Sequence, residues 1–136
     1  MGFVNSFPAL VGQWPGSNFG NQCDGSFFAG STLLSGCHQI WEDIPVCQAM
    51  GKKVLLSIGG DTASPIPLTD AVAEWFADFL WYSFGPNDGN SVYNVGLYNN
   101  YVSEIFPRPF QNVSVDGFDF DIEHNGGHGT FPNYPV

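Results

Sequence analysis

Hydrophobic and polar positions along the chain follow helical patterns in some segments and extended patterns in others. The clearest helical pattern covers residues 68–82, where apolar residues recur at every third or fourth position and form one stripe. Thr69 or Asp70 is a suitable N-cap, and Gly85-Pro86 ends the pattern. The stripe consists of Leu68, Ala71, Val72, Trp75, Phe76, Phe79 and Leu80. This spacing predicts a helix with one buried face.

A second, shorter helix is predicted at residues 43–50. Pro45 fits its first turn, and Gly51 stands where a C-terminal cap is expected. Three segments have extended patterns instead: 3–10, 53–58 and 113–122. The central one is an almost continuous apolar run that ends at two glycines, which is typical of a strand buried on both faces of a parallel sheet.

The predicted elements therefore alternate along the chain as strand, helix, strand, helix, strand. Residues 11–35 and 86–112 are rich in Gly, Asn and Ser and are predicted to be loops. Because alternating strands and helices build a parallel sheet with helices packed against it, the fold class is predicted to be α/β. No internal repeat and no second domain are apparent.

The third strand carries an unusual set of acidic residues. Side chains alternate across a strand, which divides this segment into two sets. Asp119, Asp121 and Glu123 share one face, and Phe118, Phe120 and Ile122 share the other. Successive acids on one face are roughly 6–7 Å apart along a strand. Carboxyl groups clustered in this way are typical of general-acid catalysis.

Three other interpretations of these acids stay open at this point. A solvated acidic edge is disfavoured, because the opposite face of the strand is strongly apolar. A calcium loop over 119–123 has suitable acid spacing, but His124 stands where that loop needs glycine. A metal site at Glu123, His124 and His128 would need a helix, which the two glycines between the histidines disfavour. The pattern favours catalysis without a metal.

Composition narrows the function classes further. The chain has 136 residues and a formal net charge of −10, with Lys52, Lys53 and Arg108 as its only Lys or Arg residues. Nucleic-acid binding requires clustered cations, so that class is disfavoured. Asp, Gly or Pro interrupts the apolar runs well before the roughly 20 residues that a membrane span needs. With 43% hydrophobic and 16% aromatic residues, the chain can form a packed core.

Three cysteines and one short motif bear on the cellular compartment. Cys23, Cys37 and Cys47 do not have the spacing of a zinc site, and an odd number leaves a free thiol or a partner elsewhere. Three reduced cysteines are an equally good interpretation. Asn112-Val113-Ser114 is an N-glycosylation sequon, which matters only in a secreted protein. The first residues do not have the pattern of a signal peptide.

Several segments resemble the motifs of glycoside hydrolase family 18, the chitinases. Asp116–Glu123 matches the family pattern D-x-x-D-x-D-x-E. Lys52–Gly60 matches the family's S-x-G-G motif and the strand before it. Arg108–Phe110 and Phe3–Phe7 are similar to the plant and fungal class III branch, the hevamine-like chitinases. The chain is therefore identified by resemblance as a member of that branch.

The resemblance implies a (β/α)₈ barrel, which typically takes about 250 residues. This chain resembles strands two to four with the helices between them, so residues 1–136 are expected to be an incomplete catalytic domain. The N-terminal strand and the C-terminal half of the barrel would be absent. The branch also implies a Cys23–Cys37 disulfide, a partner for Cys47 in the absent N-terminal part, and a cis peptide bond between Ser6 and Phe7.

The mechanism implied by the resemblance is retaining and assisted by the substrate, whose N-acetyl oxygen attacks the anomeric carbon. Glu123 would be the general acid that protonates the leaving oxygen and later the base that activates water. Asp121 would orient the acetamide, and Asp119 would share a proton with Asp121. No metal and no cofactor are implied.

The remaining residues have expected roles in binding or structure. Phe7, Ser57, Gly59 and Gly60 would bind substrate, whereas Asp116, Cys23 and Cys37 would be structural. The implied partner is chitin or a chito-oligosaccharide, acted on by a secreted monomer that binds neither nucleic acid nor membrane. Two further classes stay open: a chitinase-like lectin or inhibitor without catalysis, and an endo-β-N-acetylglucosaminidase acting on N-glycans.

Overall fold

A computed structural model describes residues 2–60, 69–86, 92–93 and 104–122. Its secondary-structure elements are, in chain order, β1 (Phe3–Val4), β2 (Ser17–Asn18), α1 (His38–Ala49), β3 (Leu55–Gly60), α2 (Asp70–Phe84), β4 (Val92–Tyr93), β5 (Glu104–Ile105) and β6 (Gly117–Ile122). The two helices and the longer strands alternate in the predicted order. The mixed α/β architecture expected from the sequence is therefore confirmed.

Four of the strands form one sheet in the order β2-β1-β3-β6. The pairings of β1 with β3 and of β3 with β6 are both parallel, as predicted. Strand β2 pairs antiparallel with β1 at one side of this sheet, and β4 pairs antiparallel with β5 in a separate small sheet. The sequence predicts loops at β2, β4 and β5, because two-residue strands do not leave a periodic pattern.

Helix α2 confirms the helix predicted from the apolar stripe. The Thr69 hydroxyl accepts a hydrogen bond from the Val72 amide at 3.3 Å, which caps the first turn. The buried side chains of α2 include Val72, Trp75, Phe76, Phe79, Leu80 and Phe84. They belong to the same core as Leu56 and Ile58 of β3. The helix therefore covers the face of the sheet that carries these β3 residues.

Helix α1 begins five residues earlier than predicted. Cys37 is its N-cap, and Pro45 lies inside the helix rather than in its first turn. Proline removes one backbone hydrogen bond, but the helix continues and buries Ile44 in the core. Gly51 has a φ of 77°, and the next amide donates to the Cys47 carbonyl at 3.1 Å, so the predicted C-terminal cap is confirmed.

The start of α1 is joined to the preceding loop by a disulfide. Cys23 and Cys37 are bonded, as the resemblance implied, while Cys47 is an exposed free cysteine among the described residues. The Asp24 amide donates to the Gly36 carbonyl at 2.9 Å, and the Asp24 carboxylate packs against Gly36. The loop is thus closed by covalent and backbone contacts beside α1.

An aromatic cluster connects α2 to the segment that leads into β6. Phe106 stacks on Tyr82 with ring centroids 5.6 Å apart and lies 5.8 Å from Phe79. Phe110 contacts Phe84 of α2 and also Phe19, which follows β2. Because both phenylalanines before β6 are buried, the position of β6 depends on this packing.

Among the described residues, no helix is long and apolar enough to cross a membrane.

Asp116 links the start of β6 to the start of β3 and the end of α1. Its carboxylate accepts hydrogen bonds from the Val54 amide at 2.8 Å and from the Gln48 side chain at 3.2 Å. Its own amide donates to the Val54 carbonyl at 2.8 Å. The bond from the Val54 amide is the main cause that lowers the pKa of Asp116 below its ordinary value, and the Gln48 side chain adds to it.

We expect Asp116 to make folding pH-dependent in acid. A carboxyl whose pKa is lowered on folding stabilises the protein above its unfolded pKa, and that stabilisation is lost as pH falls through the folded pKa. The free energy of unfolding should therefore begin to fall as pH approaches the unfolded pKa of about 4 and keep falling as pH decreases through the lower folded pKa, and it should fall less steeply in Asp116→Asn. Urea unfolding across this range measures both slopes. Equal slopes in the two proteins would contradict the expectation.

Candidate active site

A row of side chains crosses the four-stranded sheet on one face. The register pairs Asn18 with Phe3, Phe3 with Ser57, and Ser57 with Asp119. Residues directly opposite one another in neighbouring strands point to the same face, so these four side chains line up. The row brings together an amide, an aromatic ring, a hydroxyl and a carboxylate.

The hydroxyl and the carboxylate of this row are in contact. Ser57 Oγ donates a hydrogen bond to Asp119 Oδ2 at 3.1 Å. Asp121 lies two residues further along β6 and pairs with Gly59, which has no side chain to cover it. The structure thus places Ser57 and Asp119 side by side at the middle of two adjacent strands, with Gly59 and Asp121 nearer their carboxyl ends. Glu123, the expected general acid, lies outside the described residues.

The other face of β3 and β6 is apolar, as the alternation predicted. Leu56 and Ile58 are fully or almost fully buried and pair with Phe118 and Phe120. Phe118 packs against the core, whereas Phe120 is 71% exposed because β6 is the edge strand of the described sheet. The side chain of Ile122 is outside the described set. The two described acids of β6 are therefore separated from the core by the strand itself.

Phe7, expected to bind substrate, is placed away from this row. Strand β1 ends at Val4, and the Phe7 ring packs edge-on against Phe76 of α2, with centroids 5.6 Å apart. The described residues contain no cis peptide bond, so the expected cis bond between Ser6 and Phe7 is wrong. Such a bond costs about 3–4 kcal/mol and needs surroundings that force it; here the Phe7 ring reaches Phe76 from a trans peptide.

Phe3 is the aromatic residue on the carboxylate face, and sequence reasoning missed it. Its backbone pairs with Ser57, and its ring lies beside Gly60 at the end of β3. Strand alternation was the available signal, because it would place Phe3 and Phe7 on the same face of one continuous strand. A strand of only two residues cannot carry that alternation as far as Phe7.

The two glycines at the end of β3 adopt backbone conformations that other residues rarely adopt. Gly59 has a φ of 112° and Gly60 a φ of 90°. A Cβ atom added to Gly60 would lie 3.3 Å from Cδ1 of Phe3, which is a tight contact. Glycine at position 60 therefore allows both the positive φ of the backbone and the close approach of the Phe3 ring.

Gly60→Ala should lower the free energy of unfolding by about 2 kcal/mol, because it combines backbone strain with the tight Phe3 contact. Gly12→Ala is the matched control: Gly12 has a φ of 86°, but an added Cβ would meet nothing within 4 Å. Chemical denaturation of both variants separates the two contributions. A loss for Gly60→Ala no larger than that for Gly12→Ala would show that the Phe3 contact has no effect.

No group of three or more His, Cys, Asp or Glu side chains able to hold a metal occurs in the described part of the chain. The site is thus described by its carboxylates, one hydroxyl and the aromatic ring of Phe3. What this arrangement can do chemically is hold a polar ligand over an open sheet face and direct carboxylate oxygens toward it.

Comparison with known proteins gives clear relatives. No family model matches the chain. It is 58% identical to endochitinase A of Aspergillus niger and 55% identical to endochitinase A1 of Aspergillus fumigatus, each over 95% of its length. These alignments cover only 10% and 15% of the two relatives. The chain therefore spans a small part of the curated relatives that it matches.

A solved structure is also similar. The crystal structure of the xylanase and alpha-amylase inhibitor protein XAIP-II from Scadoxus multiflorus matches with a TM-score of 0.57 and 32% sequence identity. The match covers 90% of this chain and 34% of that one. The sheet and helices described above are thus found, over nearly the whole chain, within a larger solved protein.

Proposed function

We propose that this chain is part of the catalytic domain of an endochitinase of glycoside hydrolase family 18, and that it cleaves β-1,4-linked N-acetylglucosamine polymers. The observation that carries the proposal is the hydrogen-bonded Ser57–Asp119 pair, with Asp121 beside Gly59, on the face of the sheet away from the core. The proposal is also supported by the 55–58% sequence identity of this chain to two Aspergillus endochitinases.

In this proposal the chain supplies strands two to four of a (β/α)₈ barrel. The parallel neighbours β1, β3 and β6, with α2 over the core face, support that assignment. The carboxylate face would then be the barrel interior, and the site would lie at the carboxyl ends of the strands, where barrels of this type place their chemistry. Phe3 replaces Phe7 as the aromatic residue proposed for the sugar site.

The proposed reaction needs no metal or cofactor. Glu123 donates a proton to the glycosidic oxygen as the C–O bond breaks, and the substrate's acetamide oxygen attacks the anomeric carbon to form an oxazolinium ion. Asp121 orients the acetamide and stabilises its positive charge, while Asp119 is held by Ser57. Glu123 then takes a proton from water, whose oxygen opens the oxazolinium ring and completes hydrolysis with retention.

We further propose that the protein is secreted and acts as a monomer. The Cys23–Cys37 disulfide supports an oxidising compartment, where such bonds persist. The names of the relatives support chitin as substrate.

The proposal is tested by exchanging segments between homologues. In a chimera, this chain replaces the matching segment of Aspergillus niger endochitinase A, which 58% identity makes practicable. We expect the chimera to release product from a chromogenic N-acetylglucosamine oligomer. A folded chimera that binds oligomer without cleaving it would overturn the catalytic proposal.

A carbohydrate-binding or inhibitory protein is the second candidate. The structural neighbour is an inhibitor by name, which favours this class over an enzyme that acts on N-glycans. The same chimera distinguishes an inhibitor from a chitinase, because an inhibitor segment would not restore turnover. An enzyme acting on N-glycans is separated by its substrate, since it would release intact glycans from a glycoprotein.

A further inference from the structure

The segment before β6 contains the chain's only Asn-x-Ser/Thr sequon, Asn112-Val113-Ser114. Asn112 is exposed at the end of the turn 109–112. N-glycosylation needs such a sequon on a surface segment of a secreted protein. We propose that Asn112 carries an N-linked oligosaccharide.

The backbone around Asn112 is held in a defined shape. The Val113 amide donates to the Phe110 carbonyl at 3.0 Å, and Gln111 has a φ of 56°. The Arg108 guanidinium donates to the Gln111 carbonyl at 2.8 Å and to the Val113 carbonyl at 3.0 Å. Both carbonyls that flank Asn112 are therefore anchored to one side chain, and Asn112 itself lies at the surface.

The glycan would lie at the end of the sheet opposite the candidate active site. The Gln48 side chain, near the end of α1, donates to the Ser114 carbonyl at 2.8 Å, and α1 leads into the amino end of β3. Gly59 and Asp121 lie at the carboxyl ends of β3 and β6. A bulky oligosaccharide on Asn112 would thus leave the candidate active site open.

The transfer uses a lipid-linked oligosaccharyl diphosphate as donor, supplied by the secretory pathway. The Asn112 amide nitrogen forms a bond to the anomeric carbon of the donor sugar, and the bond from that carbon to the diphosphate oxygen breaks. The proton lost by the amide and the lipid diphosphate are the remaining products. No oxidant or reductant is involved.

The full chain, fused to a secretion leader, is translated with microsomes, and translocation is verified by protection from added protease. We expect one glycosylated species that an N-glycan-removing endoglycosidase converts to the unmodified mass. Asn112→Gln and Ser114→Ala should each abolish this species, whereas Ser114→Thr should retain it. Because transfer occurs on the nascent chain, the readout does not depend on the variants folding.

Asn21→Gln is the matched control, since Asn21-Gln22-Cys23 has cysteine at the third position and is not expected to be modified. It should leave the glycosylated species unchanged. A translocated wild-type chain without glycan, or a glycan retained in Asn112→Gln, would overturn the proposal. Neither outcome depends on whether the protein cleaves chitin.

Discussion

Glu123→Gln in the endochitinase chimera should abolish hydrolysis and leave oligomer binding intact. Gln preserves the size of the side chain and can donate a hydrogen bond, but it cannot deliver a proton to the leaving oxygen. General-acid catalysis typically contributes about 10²–10⁴-fold to the rate, so we expect kcat to fall by at least that range. Turnover of a chromogenic N-acetylglucosamine oligomer measures the loss, and oligomer binding is followed separately by calorimetry.

Two further variants make this experiment specific. Asp121→Asn should also slow the reaction, because the oxazolinium ion loses the charge that stabilises it. Glu42→Gln makes the same chemical change as Glu123→Gln at an exposed position on α1, far along the chain from the acidic strand, and should keep wild-type kcat. Wild-type turnover by the Glu123→Gln chimera would remove Glu123 from the mechanism.

The parts of the fold that could be predicted from the sequence have strong local periodicity. The stripe of α2 predicts most of its buried face. Five of its residues are buried in the structure: Val72, Trp75, Phe76, Phe79 and Leu80. Ser83 and Phe84 are also buried, although the spacing did not select them. The alternation of acids and aromatic residues in β6 likewise predicted that Asp119 and Phe118 point to opposite faces of the sheet. In both cases the apolar residues recur with the repeat of the backbone, about 3.6 residues in the helix and two in the strand. The local sequence pattern therefore predicts which side chains face the core.

The parts that were missed depend on contacts distant in sequence. The start of α1 is set where Cys37 is bonded to Cys23, and no local signal compensates for Pro45 in the middle of the helix. The position of Phe3 beside Ser57 depends on the register between β1 and β3. Register is a pairing between separate segments, so a single strand of two residues does not encode it.

Arg108 is expected to have the largest effect on stability of any single charged side chain in the described residues. Its guanidinium donates to four carbonyls: those of Tyr82 at 2.9 Å, Gly85 at 2.7 Å, Gln111 at 2.8 Å and Val113 at 3.0 Å. The first two are at the end of α2, where helical carbonyls lack intrahelical partners. Arg108 therefore joins the end of α2 to the segment entering β6.

The guanidinium is partly buried, and this desolvation lowers the pKa of Arg108 below its ordinary value, although the group stays charged at neutral pH. Burial also means that water cannot fully replace the side chain at the four carbonyls once it is removed. A second bond supports the same junction, since the Val115 amide donates to the Phe84 carbonyl at 2.9 Å. The junction should thus weaken, without separating completely, when Arg108 is truncated.

Arg108→Ala should lower the free energy of unfolding by about 3 kcal/mol, the size expected when hydrogen bonds to a charged group are lost and their acceptors stay buried. Arg108→Lys should recover part of this loss, because one ammonium group cannot reach four carbonyls that a planar guanidinium spans. Lys52→Ala, an exposed cation, is the matched control and should change stability by less than about 0.5 kcal/mol. Urea unfolding of the three variants measures these differences, and equal stability of Arg108→Ala and Lys52→Ala would show that the four bonds do not hold α2 to β6.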